Sequence, residues 1–160
     1  MAASALRELD RIDRRILDVL QHDGRISMTE LAERIGLSAT PCTERVRRLE
    51  RDGVIMGYYA RVDPSALGKP MLVFVEFKLS AKSANTFETV ARKLASVPEV
   101  MECHLVSGEF DYLIKARIAE MPDYRRMLGA ILNELPAAAE SRSYVVMEEV
   151  KESLYLSPFD

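Results

Sequence analysis

The stretch Ser38–Gly53 limits the possible folds most, because it predicts one helix with two unlike faces. Ser38 is a suitable N-cap, and Pro41 lies in the first turn, where the N–H that proline lacks would have no helical partner. Gly53 is placed to end the helix. At about 100° per residue, one stripe is apolar and consists of Cys42, Val46 and Leu49. The opposite side is polar, with Thr40, Glu44, Arg47 and Arg51 at its centre and Thr43 and Arg48 flanking them.

Two shorter helical patterns precede this stretch. Asp10 can cap the first and Asp23-Gly24 stops it; its inward side chains are Ile12, Ile16, Val19 and Leu20. The second opens on a capping box, Ser27-Met28-Thr29-Glu30, and its inward residues are Leu31, Ala32 and Ile35. Gly36 ends it, so only Gly36 and Leu37 separate the second helix from Ser38.

Three helices with a tight glycine turn between the second and third match a helix-turn-helix motif, whose second member enters the major groove of DNA. Spacing alone leaves an alternative open, a plain three-helix bundle with a solvated arginine-rich face. Residues Val54–Val62 are β-branched and aromatic and predict a strand after the helix, as in winged versions of the motif. The following Asp63–Pro70 holds two prolines, a glycine and a turn-forming Asp-Pro. We therefore expect a DNA-binding domain at residues 1–62, a linker at 63–70 and a second domain at 71–160.

The second domain opens with alternation of period two. Strands are predicted at Met71–Leu79, Val100–Val106, Tyr112–Ile118 and Glu140–Lys151, and helices at Thr86–Ala95 and Met121–Leu135. A loop, Ser107–Asp111, joins the middle strands, Val97-Pro98 closes the first helix and Pro136 ends the second. The order βαββαβ predicts an α+β, ferredoxin-like domain with both helices on one face of the sheet. The other face is partly apolar and needs a cover, for which a second subunit is the simplest candidate.

Charge restricts how such a chain can bind DNA. The net charge is −3 and the pI about 5.5, which argues against coating nucleic acid by bulk positive charge. The stretch from Ser38 to Arg61, however, contains five arginines and only three acidic residues. Any DNA binding is therefore expected to be local to this stretch.

Several other classes of protein are disfavoured. Cys42 and Cys103 have no metal-type spacing and read as small buried hydrophobes, while His22 at a helix end and His104 in a strand are typical of capping and packing. With no nucleophile–base pair or phosphate loop, we expect no enzyme, no catalytic residues, no cofactor and no metal. The first residues lack a signal pattern, and no apolar run approaches about 18 residues, so we expect a cytoplasmic protein with no membrane partner.

Taken together, these motifs resemble the Lrp/AsnC family of feast/famine transcriptional regulators across nearly the whole length of the chain. It is most similar to leucine-responsive members and related activators of amino-acid catabolism. The resemblance is carried by Leu9–Asp13, Asp23–Ser27, Gly36–Ser38, Pro41–Glu50, Glu102–Tyr112 and Ser143–Lys151. It implies a winged helix-turn-helix, a ferredoxin-like domain of the RAM type, dimers through that domain, and often octamers built as rings of four dimers. It also implies a nucleoid-associated bacterial protein and a free amino acid as effector, bound where the sheet domains of neighbouring dimers meet.

Carried over residue by residue, the resemblance places the effector region at Leu105, Ser107, Gly108, Asp111, Tyr112, Met121, Tyr144, Val145 and Val146. A free amino acid needs an acceptor for its ammonium group, such as Asp111, and donors for its carboxylate, such as the N–H groups around Ser107 and Gly108. An apolar wall suits a hydrophobic side chain, and it would consist of Leu105, Met121 and Val146. A plainer interpretation also stands: Asp111 as a turn residue and the tyrosines as core or dimer-contact aromatics.

The DNA-binding residues are predicted to be Ser38, Thr40, Thr43, Glu44, Arg47, Arg48 and Arg51. Arg47 suits a guanine edge, Glu44 a cytosine amino group, and the two threonines thymine methyls or phosphates. Arg48 and Arg51 are expected to hold phosphates, together with the N–H groups of the helix start at Ser38.

Leucine, alanine, proline and methionine all fit the effector wall. The competing interpretation is an effector-independent protein that wraps DNA and organises the nucleoid with little sequence preference.

Overall fold

The computed structural model describes residues 8–135 and 138–159, and the chain divides into two compact units. The first unit comprises Met1–Arg61 and Lys151–Asp160, and the second Val62–Val150. The tail predicted before Asp10, the connector at 136–139 and the helix stop at Pro136 lie wholly or partly outside the described residues. Within the described ranges, no helix has both the length and the hydrophobicity needed to cross a membrane.

The first unit holds three helices, α1 (Arg11–His22), α2 (Met28–Ile35) and α3 (Ala39–Arg51). The Asp10 carboxylate caps α1, because it accepts the N–H groups of Ile12 and Asp13 at 2.9 and 2.8 Å. The Ser27 hydroxyl accepts the Glu30 N–H at 3.2 Å and so caps α2. Both helices therefore begin where their capping residues predicted.

The turn between α2 and α3 depends on Gly36. This residue has φ of 78°, a left-handed conformation that glycine adopts at little cost. The Leu37 N–H then donates to the Ala32 carbonyl at 2.9 Å, which closes the end of α2. Because only Leu37 and Ser38 follow before α3 begins, the turn is as tight as a helix-turn-helix requires.

The apolar stripes of the three helices meet in one core. Its buried members are Ile16, Leu20, Ile26, Leu31, Ala32, Ile35, Cys42, Val46 and Leu49. The predicted inner stripe of α3 is confirmed, and Cys42 is a buried small hydrophobe whose pKa is raised by burial. The opposite side of α3 is thereby turned to solvent.

The strand predicted at Val54–Val62 is wrong. The N–H groups of Val54 and Ile55 both donate to the Leu49 carbonyl, at 2.9 and 3.1 Å, and extend the end of α3 instead. From Met56 onward the backbone is irregular and exposed, and it pairs with no strand among the described residues. A strand needs a neighbour for its N–H and C=O groups, so β-propensity alone did not suffice here.

The C-terminal segment differs from its prediction in a related way. The last strand ends at Val145 rather than Lys151, although the Val146 N–H still donates to the Leu72 carbonyl at 3.0 Å. Residues 151–159 belong to the first unit, where they run along α1. The Tyr155 hydroxyl donates to the Asp18 carboxylate, and the Gln21 amide bonds both backbone groups of Leu156, each at 2.8 Å.

The second unit follows the order βαββαβ, as predicted. Its elements are β1 (Met71–Leu79), α4 (Ala84–Ala95), β2 (Val100–Leu105), β3 (Tyr112–Ile118), α5 (Met121–Glu134) and β4 (Ala138–Val145). The four strands form one antiparallel sheet in the order β2-β3-β1-β4. This is the ferredoxin-like arrangement expected from the pattern.

One face of the sheet carries the core of the second unit. Alternate residues of β1 and β3 pack against both helices. The strands contribute Val73, Val75, Phe77, Ile114 and Ala116, and the helices contribute Val90, Leu94, Tyr124, Met127 and Ile131. The other face carries Phe74 and Leu113, both half-buried, and Tyr144, which is exposed. Two helices therefore cover one face, while the other face stays open to solvent in the single chain.

Leu94→Ala is expected to destabilise the second unit by about 2–5 kcal/mol, because it removes a fully buried side chain and leaves a cavity. Denaturant unfolding followed by circular dichroism measures the change. Leu67→Ala is the matched control, since Leu67 is 66% exposed and its truncation removes few packing contacts. Equal losses of stability in the two variants would contradict the packing described.

Candidate nucleic-acid interface and effector surface

The outer face of α3 presents most of the predicted DNA-binding residues to solvent. Ser38, Thr40, Glu44, Arg47 and Arg51 are exposed, and Thr43 and Arg48 are half-buried. The Ser38 side chain makes no capping hydrogen bond, so the first N–H groups of α3 receive no acceptor from it. The start of the helix is therefore suited to a phosphate.

The individual side chains differ in how freely they can reach a partner. Within the part of the chain that the structure describes, the side chains of Arg47 and Glu44 form no hydrogen bond or ion pair with another residue. Arg51 lies 3.7 Å from the Asp52 carboxylate, and both side chains are well exposed. The Thr43 hydroxyl donates to the Ala39 carbonyl at 2.8 Å and is turned toward its own helix. Arg47 is thus the arginine of this face best placed to bind a base edge.

Arg45 and Arg48 have acidic partners at the start of α1 that the sequence pattern did not predict. Arg48 Nη2 lies 2.6 and 2.7 Å from the two oxygens of Asp13, and Arg45 Nη1 lies 2.8 Å from one of them. Arg45 also lies 2.6 Å from Asp10. Asp13 is 3% exposed, so this is a buried carboxylate held by two guanidinium groups. The expected phosphate-holding role of Arg48 must compete with this pairing.

A signal for this pairing was present in the sequence. Asp13 stands three residues before Ile16 and seven before Leu20, on the same stripe of α1 as these core residues. An acidic residue at such a position needs a cation or several donors.

The same contacts act on Asp10. Desolvation acts to raise the pKa of Asp10, but the Asp13 N–H and the Arg45 guanidinium outweigh it and lower that pKa.

The arginines of α3 border an open hollow of about 460 Å³. It is lined by Pro41, Glu44, Arg45, Arg47, Arg48 and Arg51. Four guanidinium groups and the Glu44 carboxylate line it, but Arg45 and Arg48 are paired with Asp10 and Asp13, and Arg51 lies near Asp52. Among the described residues, Arg47 is therefore the arginine of this hollow whose positive charge has no acidic partner.

Asp111, the predicted acceptor for an ammonium group, is already engaged. It is 6% exposed; one carboxylate oxygen accepts the Leu79 N–H at 2.8 Å and the other lies 2.7 Å from Lys82 Nζ. Desolvation opposes ionisation, but the Leu79 N–H and the Lys82 ammonium outweigh it and hold the pKa of Asp111 below its ordinary value. In the single chain this carboxylate fastens the β2–β3 loop to the end of β1.

Tyr112 is likewise part of the framework. It is 2% exposed, and its hydroxyl donates to the Phe87 carbonyl of α4 at 2.8 Å. Burial raises the pKa of Tyr112. These contacts favour the plainer interpretation of both residues, with Asp111 holding a loop and Tyr112 packing in the core.

The remaining effector residues are accessible but lie in two groups. Leu105 pairs with Tyr112, at the end of the sheet from which the loop with Ser107 and Gly108 extends. Met121 follows the opposite end of β3, where Val146 bonds Leu72. The six residue steps of β3 between these ends span about 20 Å, at about 3.3 Å per residue. One chain therefore does not bring Leu105 together with Met121 and Val146.

A small hollow near the loop does not replace this site. It lies on the open face of the sheet, holds about 30 Å³ and is lined by Glu76, Lys78, Glu109, Phe110, Glu140 and Arg142. Pockets that enclose small molecules usually measure hundreds of Å³. The side chains of Leu105, Met121, Tyr144 and Val145 are exposed and do not line this hollow.

The histidines and cysteines form no centre of reactivity. His22 Nδ1 lies 2.8 Å from the Asp18 carbonyl, and His104 Nε2 lies 3.2 Å from the Glu102 carboxylate. Cys103 is half-buried, with its pKa raised by burial. Among residues 8–135 and 138–159, no group of three metal-binding side chains is assembled.

Asp111→Asn is expected to destabilise the second unit at pH 7, because it removes the ion pair with Lys82 and weakens the bond from Leu79. The folded state lowers the pKa of Asp111, so its ionisation stabilises the fold above the unfolded pKa, and that stability is lost as pH falls through the folded pKa. The gap in unfolding free energy between the variant and the unaltered protein should close in acid. Glu109→Gln, an exposed charge loss in the same loop, is the control; a gap constant from pH 7 to pH 3 would contradict the assignment.

Comparisons with known proteins agree with both halves of the chain. Residues 9–56 match the model of the winged helix-turn-helix DNA-binding domain, and residues 72–156 match the Lrp/AsnC ligand-binding domain. The leucine-responsive regulatory proteins of Salmonella typhimurium and Escherichia coli are each 54% identical over 147 residues, which cover 92% of this chain and 90% of the relative.

Solved structures point the same way. A transcriptional regulator of Neisseria meningitidis in complex with L-Met has a TM-score of 0.87 and 31% identity, covering 93% of this chain and 96% of its own. The relatives are regulators, which confirms the expectation that this chain is not an enzyme. The α+β fold with an N-terminal helix-turn-helix is confirmed as well. The chain belongs to the Lrp/AsnC family of DNA-binding transcriptional regulators with an amino-acid-binding domain.

Proposed function

We propose that this regulator reads specific operator DNA through the outer face of α3 and responds to a small aliphatic amino acid, with leucine the first candidate. The observation that carries the DNA-reading half is Arg47, exposed on a helix whose opposite stripe is fully packed. Thr40, Thr43 and Glu44 would contribute further contacts in the major groove. Arg51 and the helix start at Ser38 would hold phosphates. All of these residues lie in the proposed DNA-binding domain, residues 1–62, and none lies in the linker or in the second domain that begins at residue 71.

The effector half rests on the two groups of accessible residues in the second unit. Since the two ends of β3 are about 20 Å apart, an amino acid that touches Leu105 and Met121 would lie between two chains. We propose that Ser107 and Gly108 supply backbone N–H donors for its carboxylate and that Met121, Tyr144, Val145 and Val146 line its side chain. Asp111 and Tyr112 then act indirectly, by holding the loop.

A homodimer is the proposed building unit, with further assembly toward an octamer. The open face of the sheet carries Phe74, Leu113 and Tyr144 beside charged residues, and a second copy would cover this surface. Effector control requires different affinity for two states, and two assemblies of this kind provide such states. The proposed place of action is the bacterial nucleoid in the cytoplasm.

Arg47→Ala is expected to weaken specific DNA binding by about 1–3 kcal/mol if the guanidinium contacts a guanine through two hydrogen bonds. The probe is a duplex selected from a random pool by the unaltered protein, and fluorescence anisotropy measures the affinity. Arg92→Ala is the control, because Arg92 is an exposed arginine of the second unit. Unchanged binding by Arg47→Ala would refute its role, and equal affinity for selected and random DNA would favour effector-independent wrapping.

Thermal unfolding in each of the twenty amino acids tests the effector proposal. A ligand present at about 100 times its dissociation constant adds about 2.7 kcal/mol to the stability of the folded state. We expect a rise in melting temperature with leucine, accompanied by a change in sedimentation. A flat response to every amino acid would contradict the proposed effector class.

The placement of the site between chains has its own test. Leu105→Asp and Met121→Asp are each expected to abolish the leucine response, since both residues are exposed and their replacement leaves the core intact. Co-expression of the two variants should restore part of the response, because a mixed contact joins an intact Leu105 to an intact Met121. Absence of any recovery in mixed assemblies would contradict a site shared between two chains.

A further inference from the structure

The pairing between α1 and α3 has a geometry that a packed apolar stripe alone does not provide. Both carboxylate oxygens of Asp13 accept hydrogen bonds from Arg48, and one of them also accepts from Arg45. The carboxylate of Asp10, the N-cap of α1, accepts a further hydrogen bond from Arg45. Arg45 and Arg48 are one helical turn apart on α3, while Asp10 is the N-cap of α1 and Asp13 lies in its first turn. Two such points fix both the rotation of α3 about its axis and its position along that axis.

This pairing is also costly to break. Asp13 is 3% exposed, and the side chains of Arg45 and Arg48 are about one quarter exposed, at 26% and 24%. A buried carboxylate that loses its cation is left uncompensated in a medium of low dielectric constant. The two arginines are therefore held toward α1 rather than left to explore solvent.

The residues proposed to read DNA adjoin these fixed points. Glu44 precedes Arg45 and Arg47 precedes Arg48, so each reading residue lies about 100° around the helix from a paired arginine. A small rotation of α3 would displace both reading side chains from the base edges. A displacement of about 1 Å is enough to spoil a hydrogen-bonded contact.

We propose that Asp13 is a positioning residue for DNA recognition, and that Arg45 and Arg48 act through it rather than by holding phosphates. The inference rests on the proposed reading role of α3 and deepens it. It divides the arginines of α3 into two that set the helix, Arg45 and Arg48, and two that face DNA, Arg47 and Arg51. Asp10 supports the first pair through Arg45 while it caps α1.

The first test compares Arg48→Lys with Arg48→Ala. Lysine keeps the charge but cannot reach both Asp13 oxygens with a planar guanidinium group. We expect both variants to lower the ratio of affinities for selected and random duplex at least tenfold. The slope of log affinity against log salt should stay unchanged, because no phosphate contact is lost. Preserved affinity in Arg48→Lys, or a slope reduced by about one in Arg48→Ala, would identify a phosphate contact and overturn the proposal.

The second test is a double-mutant cycle between Asp13→Asn and Arg48→Ala. If Arg48 acts through Asp13, the double variant should lose no more specificity than the worse single variant. Losses that multiply would mean that the two residues act independently, contrary to the proposal. Glu33→Gln is the charge control, because Glu33 is an exposed carboxylate on α2.

Stability must be followed in the same variants. Thermal unfolding is measured for each, and binding is compared below every melting temperature. A lowered melting temperature with an unchanged ratio of specific to random binding would leave Asp13 a purely structural role and refute the inference. If Asp13→Asn does not fold, Arg48→Lys and Arg45→Lys carry the test, since each removes only one arm of the pairing.

The failure of this inference can be told from failure of the proposed reading face. Loss of specificity in Arg47→Ala with none in Arg48→Lys would keep the reading face and reject the positioning role. Loss in Arg48→Lys with none in Arg47→Ala would keep the positioning role and reject Arg47 as a reader.

Discussion

The central position of β1 determines most of the second unit. This strand pairs with β3 on one side and β4 on the other, so its register fixes where both neighbouring strands begin and end. Val73, Val75 and Phe77 then point to the helices, and the intervening residues point to the open face. Asp111 adds a side-chain bond to the end of β1, and its own N–H donates to the Phe77 carbonyl at 2.9 Å. The loop after β2 is consequently held at one end of the sheet.

This register has a consequence for ligand binding. The same antiparallel pairing that fixes the loop also places Met121 and Val146 at the far end of the strands. A ligand the size of an amino acid cannot bridge about 20 Å, which the length of β3 imposes. A site that needs both groups is therefore a property of an assembly, and occupancy of such a site favours the assembly that contains it.

Local patterns predicted those elements whose stability is mostly local. The bounds of β1 and β3, the caps at Asp10 and Ser27 and the glycine stop at Gly36 all follow from periodicity or from one residue's conformational preference. The strands predicted at residues 54–62 and 146–151 were wrong, because a strand forms only where a neighbour accepts its hydrogen bonds. The local sequence gives the β-propensity of a segment, but it does not show whether a neighbouring strand is present to pair with it.

The site was predicted unevenly for a similar reason. The exposed face of α3 follows from helical spacing within one segment, so the sequence predicted which of its side chains face solvent. The partners of Arg45 and Arg48 stand 32 to 35 positions away along the chain, beyond any local pattern. Asp111 was recognised as chemically suited to an ammonium group, but the cation beside it is Lys82 of the same chain. Residue type indicates that Asp111 can accept from an ammonium group, whereas the identity of the cation beside it depends on the fold.

In the first unit, α1 makes contacts through two different faces. Asp13, Ile16 and Leu20 face α3 and the core, whereas Asp18 and Gln21 bind the C-terminal segment at Tyr155 and Leu156. The helical angle between these two sets exceeds a quarter turn, so α1 can serve both without conflict. The chain passes between the units twice, near residues 61 and 150. The second passage leads into the segment bound to α1, and α1 in turn holds Arg45 and Arg48, so one helix connects the end of the chain to the orientation of α3.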